Sequence, residues 1–101
     1  MNKNSYKDIS LPEMQKIRDE PGAVLVDVRE NWEFEEFNEG GINIPLAEIR
    51  QKRALLSAFS TIIVICTNGV RSKVAAMDYC RIAEWSDKVI LHVKGGIIEA
   101  E

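Results

Sequence analysis

Two short runs constrain this chain more than any other feature: Ala23-Val24-Leu25-Val26-Asp27-Val28 and Thr61-Ile62-Ile63-Val64-Ile65 are apolar without alternation. A strand with one wet face alternates apolar and polar side chains; a strand covered on both faces does not need to. Both runs are short and rich in β-branched residues, so each predicts a central strand with helices on either side.

The segments around them fit that layout. Ser10 as an N-cap and Pro12 in the first turn open a helix that Pro21-Gly22 ends. Arg29 to Glu39 reads as a short acidic helix carrying Trp32, Phe34 and Phe37, which are expected to pack against the sheet. Gly40-Gly41 breaks it, and Ile42-Asn43-Ile44-Pro45 suits a further short strand stopped by proline. Leu46 to Phe59 predicts a helix whose core face is Leu46, Ile49, Leu55, Leu56 and Phe59. Another helix is expected from about Ser72 to Glu84, and Lys88 to Val93 forms a last strand before Gly95-Gly96. Strands alternating with helices imply an α/β domain with a mainly parallel sheet. At 101 residues, one domain over residues 1–101 is expected.

Charge and cysteine usage remove several function classes. The formal net charge is −3, with both signs interspersed; no basic stripe marks a nucleic-acid partner. No apolar run approaches the roughly 18 residues of a membrane-spanning helix. Met1 to Asp8 is polar, unlike a signal peptide, so a cytoplasmic location is expected. In that compartment two cysteines are expected as thiols. With a single histidine beside them, they are too few for a metal site.

The chemistry concentrates in Ile65-Cys66-Thr67-Asn68-Gly69-Val70-Arg71-Ser72. In a parallel α/β sheet, ligands bind beyond the carboxyl ends of the strands. A loop from strand to helix there turns backbone N–H groups inward, and with the helix N-terminus it makes an anion site. Such a site, with a nearby cation, favours the thiolate of a cysteine placed in it. Arg71 is the candidate cation, Ser72 a candidate helix cap, and Gly69 permits a left-handed backbone or close approach to an anion. Taken singly, a cysteine at a strand end is more often a buried small apolar residue. The combination on one strand–loop–helix frame brings a nucleophilic Cys66 level with that reading.

The loop Cys66-Thr67-Asn68-Gly69-Val70-Arg71-Ser72 resembles the rhodanese-like sulfurtransferases, whose pattern is Cys-x-x-Gly-x-Arg-Ser. Leu25-Val26-Asp27-Val28-Arg29-Glu30, Ile42-Asn43-Ile44-Pro45-Leu46 and Val93-Lys94-Gly95-Gly96-Ile97 are similar in order and spacing, so the resemblance runs from about Ile9 to Ile98. It implies a central, mainly parallel sheet of about five strands flanked by helices. It also implies transfer of sulfane sulfur from thiosulfate or a persulfide, through a persulfide on Cys66, to a thiol, cyanide or protein acceptor. No cofactor or metal is implied. Backbone N–H groups from Thr67 to Ser72 would hold the persulfide, and Arg71 an anionic donor. Related phosphatases carry one residue more between Cys and Arg, a ring sized for phosphate.

The chain departs from the family pattern in two places. A Gly-His-Ile-x-Gly-Ala segment is shortened to Gly40-Gly41-Ile42, and no Trp or long tail follows Gly95-Gly96. The shortened segment resembles rhodanese domains fused behind ubiquitin-activating-type adenylyltransferases. That alternative makes the domain a sulfur-relay or partner-binding module that hands sulfur to a carrier protein.

Other polar residues carry simpler expectations. Asp27 and Arg29, at the end of a strand beside the loop, are either donor-binding groups or an ion pair holding adjacent loops, the second being the simpler. Cys80 is expected to pack as a small apolar group and His92 to be structural, since a preformed thiolate needs no base. Glu33, Glu35, Glu36 and Glu39 read as a solvated face or a meeting point for a basic partner.

Overall fold

The computed structural model describes residues 4–100; residues 1–3 and 101 of the expected domain lie outside the described residues. Five strands, β1 (Tyr6–Ile9), β2 (Ala23–Asp27), β3 (Ile42–Asn43), β4 (Thr61–Ile65) and β5 (Val89–Val93), form one sheet. Every pairing is parallel and the order is β1-β5-β4-β2-β3. The two runs that lack alternation, β2 and β4, are neighbours in its middle, with Ala23 opposite Thr61 and Asp27 opposite Ile65.

Their side chains divide between two buried layers. Val24, Val26, Val28, Ile62, Val64 and Cys66 enter the larger one, where they meet Ala75, Ala76 and Tyr79 of helix α3 (Val70–Tyr79). Leu25, Ile63, Ile65, Leu91 and Val93 face the smaller one, covered by Leu11 and Met14 of helix α1 (Leu11–Ile17). Helix cover on both faces is why neither strand needs polar residues inside it.

Helix α1 begins as expected at Ser10. Its hydroxyl accepts the Glu13 N–H at 3.2 Å, and Glu13 in turn accepts the Ser10 N–H at 2.8 Å, a reciprocal capping box. Four expectations need correction. The helix expected over Leu46–Phe59 is two separate 3₁₀ turns, Leu46–Glu48 and Arg53–Leu56. The polar run Arg50-Gln51-Lys52-Arg53 interrupts its apolar stripe, and Leu55 points to solvent. Helix α3 starts two residues before Ser72 and ends at Tyr79, with Ala83–Trp85 a separate 3₁₀ turn that buries Trp85.

Strand β1 had no signal in the sequence. It is an edge strand, and only its last residue, Ile9, is buried. Helix α2 (Asn31–Glu36) buries none of its residues: Trp32 is 62% exposed, Phe37 just beyond it 56%, and Phe34 is half-buried. These aromatics were expected against the sheet. Instead α2 follows the carboxyl end of β2 and contributes nothing to either buried layer.

Candidate active site

The sheet order creates the site. From β2 the chain moves outward to β3, whereas from β4 it moves the other way to β5. Loops leaving two adjacent parallel strands in opposite directions open a crevice at the strands' carboxyl ends. Two segments flank it: the stretch from Val28 into α2, and the stretch from Cys66 into α3. The Val28 N–H donates to the Ile65 carbonyl at 3.0 Å, holding the two together at the base of the crevice.

Cys66 has no exposed surface. Its Sγ accepts the Gly69 N–H at 3.1 Å and the Ser72 N–H at 3.2 Å, and lies 3.3 Å from the Ser72 hydroxyl. The first N–H groups of a helix have no partner within it; here the sulfur accepts one of them and lies against the positive end of α3. Ser72 is therefore no N-cap. Gly69 occupies that position with φ 91°, a left-handed conformation that suits glycine. Asn68 stabilises the turn by accepting the Val70 N–H through Oδ1 at 3.1 Å, so that N–H serves the loop rather than the sulfur.

Two further elements brace the loop from behind. His92 of β5 places Nε2 3.0 Å from the Gly69 carbonyl, to which it donates, and Nδ1 2.9 Å from Asp8 Oδ1 of β1. The Ile97 and Ile98 N–H groups donate to the carbonyls of Cys66 and Thr67 at 2.9 and 3.1 Å. This approach requires Gly96: a Cβ there would stand 2.5 Å from both of those carbonyl oxygens. Sequence reasoning marked Gly95-Gly96 as the end of a strand and as part of the family resemblance, without a role in the loop. Its contact with the loop joins residues thirty positions apart, and no local pattern reveals that.

Asp27 and Arg29 form a buried ion pair. Arg29 Nε and Nη2 donate to the Asp27 carboxylate at 3.1 and 2.9 Å, and Asp27 also accepts the Arg29 N–H at 3.0 Å. A second bond from Arg29 Nη2 reaches the Phe37 carbonyl at 2.5 Å. The guanidinium is thus engaged in holding the segment after β2. Cys80 is buried as expected, and burial pushes its thiol pKa up.

Arg71 is paired within the chain. Its Nη1 and Nη2 donate to the two carboxylate oxygens of Glu33 on α2, at 2.7 and 3.1 Å, with Thr67 Oγ1 3.5 Å from Nη2. Glu33 Oε1 also accepts the Glu30 N–H at 2.9 Å. The Arg71 guanidinium holds the Glu33 carboxyl down to about 2, against burial, with help from that N–H. Reciprocally, Glu33 raises the pKa of Arg71, and the charges of Cys66 and Glu30 act in the same direction. Glu33 was read as part of a solvated acidic face. Only the meeting of α2 with the first turn of α3 across the crevice singles it out from Glu35 and Glu36.

A doubly covered parallel sheet, with a buried cysteine held by backbone N–H groups at its switch point, defines an α/β domain with a cysteine-centred strand-to-helix loop. Within that class the chain belongs to the rhodanese-like domain family, whose model matches residues 10–99. Among solved structures, a rhodanese-related protein from Thermoplasma volcanium is 28% identical with a TM-score of 0.74, the match covering 92% of this chain and 88% of that one. The single-domain sulfurtransferase RDL2 of Saccharomyces cerevisiae shares the fold, with a TM-score of 0.69 at 21% identity over 98% of this chain and 91% of that one. A relative named "Putative sulfur carrier protein YrkF", from Bacillus subtilis, is 35% identical over 77 residues, which are 74% of this chain and 42% of that protein. The chain thus spans less than half the length of that relative.

Proposed function

We propose that the protein is a rhodanese-type sulfurtransferase in which Cys66 carries the sulfur. Family membership supports sulfur transfer in general, and the hydrogen bonds of Cys66 Sγ carry the assignment to this residue. Two N–H donors and a hydroxyl converge on one sulfur at a helix N-terminus, an arrangement that stabilises negative charge there. The Cys66 thiolate attacks the outer sulfur of a donor. A new S–S bond forms on Cys66 while the donor's own S–S bond breaks, its electron pair leaving with sulfite or a thiolate. In the second half, an acceptor thiolate, cyanide or a carrier protein attacks the outer sulfur and Cys66 leaves as thiolate. The cycle as written needs no cofactor beyond the persulfide.

Within this reading Thr67 to Ser72 form the cradle, and Asp27 with Arg29 supports it from the neighbouring strand end. A second reading, a sulfur-relay module that discharges only to a protein, is favoured by one observation. Val70, Val74 and Met77, at helical spacing from the edge of the loop along α3, are all exposed. The sulfur-carrier name of the Bacillus subtilis relative points the same way.

Intact-mass measurement after incubation with thiosulfate, and separately with an alkyl persulfide, tests the assignment. One added sulfur atom is expected, absent in Cys66→Ser. A persulfide that persists in that variant refutes the role of Cys66; a wild-type protein that gains no sulfur from either donor refutes the function. Rapid discharge to free thiols would distinguish the enzyme from the protein-specific relay.

A further inference from the structure

The loop's own cation is already occupied. Bidentate contact with a guanidinium is the arrangement by which a sulfonate or other oxyanion is recognised, and Glu33 makes that contact with Arg71 through both carboxylate oxygens. An external anion competes with a group tethered in the same chain and therefore present at high effective concentration. Arg29, at the end of the neighbouring strand, is bound to Asp27 and the Phe37 carbonyl, while Lys73 and Lys94 are exposed and line the pocket on the Asn68–Val70 side of the loop. Helix α2 also carries Glu35 and Glu36, both exposed.

We infer that Glu33 is a specificity residue. By occupying Arg71 it disfavours small dianionic donors such as thiosulfate and leaves the site to donors whose outer sulfur is attached to an alkyl thiol, as in a persulfide of a protein or small molecule. This rests on the sulfurtransferase reading above. The two reactions differ in their leaving group. With thiosulfate, Cys66–S⁻ and ⁻S–SO₃⁻ give Cys66–S–S⁻ and SO₃²⁻, so a dianion must be held and released. With an alkyl persulfide, Cys66–S⁻ and R–S–SH give Cys66–S–SH and R–S⁻, and the departing group is a monoanion with no oxyanion to place. Glu33 occupies the contact that only the first reaction needs.

The test compares wild type, Glu33→Gln and Arg71→Lys with thiosulfate and with freshly generated 2-hydroxyethyl persulfide. In Glu33→Gln, kcat/KM for thiosulfate is expected to rise at least about tenfold, mainly through KM, as release of one charge-assisted contact allows. The same ratio for the alkyl persulfide should change less than about twofold, and Arg71→Lys should cancel the gain, since lysine lacks the fork. Calorimetric titration with sulfate, which needs no turnover, should show tighter binding to Glu33→Gln than to wild type. Unchanged or weaker sulfate binding overturns the inference, whether or not the protein turns over. Equal loss with both donors also overturns it and makes Glu33 a structural support of Arg71. Failure of wild type to accept sulfur from either donor counts against the function, and the sulfate comparison still decides the role of Glu33.

Discussion

A single charged residue in the interior is tolerable only if its partner is there too. Arg29 is 6% exposed and Asp27 has no exposed surface, so removing one leaves the other as an uncompensated charge. Asp27→Ala is therefore expected to cost about 3–5 kcal/mol, read as a lowered urea midpoint; a loss below 1 kcal/mol would show that water reaches Arg29. The pair was foreseeable from two opposite charges flanking Val28 at a strand end. The pairing of Glu33 with Arg71 was not. Four glutamates between Glu33 and Glu39 look alike in sequence, and which one reaches the loop depends on the direction in which α2 leaves β2. Cys66 stood out because its partners, Gly69 and Ser72, are sequence neighbours whose spacing can be read directly.

Helix α1, whose start is fixed locally, was read correctly, and strand β1, which depends on a tertiary contact, was not. The capping box of α1 lies within four residues, so Ser10 was recognisable. Strand β1 exists because β5 offers it a parallel edge, with Tyr6 opposite Ile90 and Ile9 opposite Val93; Tyr6-Lys7-Asp8 has no strand pattern of its own. That edge matters to the site. Asp8 on β1 and the Gly69 carbonyl hold the two nitrogens of His92 between them, linking the sheet edge to the Cys66 loop. His92→Phe removes both contacts and leaves the Gly69 carbonyl with only the longer bond from the Lys73 N–H, at 3.3 Å. A loss of about 1–3 kcal/mol is expected, together with slower Cys66 persulfide formation by stopped-flow. A variant with the same loop kinetics as wild type would show that the turns after Gly95 suffice to hold the loop.

The whole molecule has a pH dependence traceable to Glu33. Its carboxyl ordinarily titrates near 4.5 and in the folded protein is lowered to about 2, chiefly by Arg71. Between these values the unfolded chain binds the proton and the folded one does not. Stability from this group is thus complete above 4.5 and declines as pH falls toward 2. Glu33→Gln should flatten that part of the acid limb when urea midpoints are plotted against pH; an unaltered slope would mean the pair dissolves in solution. The measurement is independent of sulfur transfer and reports whether Glu33 occupies Arg71 in the free protein.

The sequence by itself determined the covered parallel sheet, its two central strands and the cysteine loop. Burial on both faces writes itself into composition, and the N–H groups that hold Cys66 lie within six residues of it. The tertiary structure alone decided that β1 pairs at the edge, that Trp32 and Phe37 stay exposed, that Gly96 and His92 brace the loop, and that Glu33 occupies Arg71. Each of these joins segments distant in sequence, and which distant segments meet is set by the strand order: side-chain pairing across a crevice follows from where the chain crosses over, which leaves no periodic mark in the sequence.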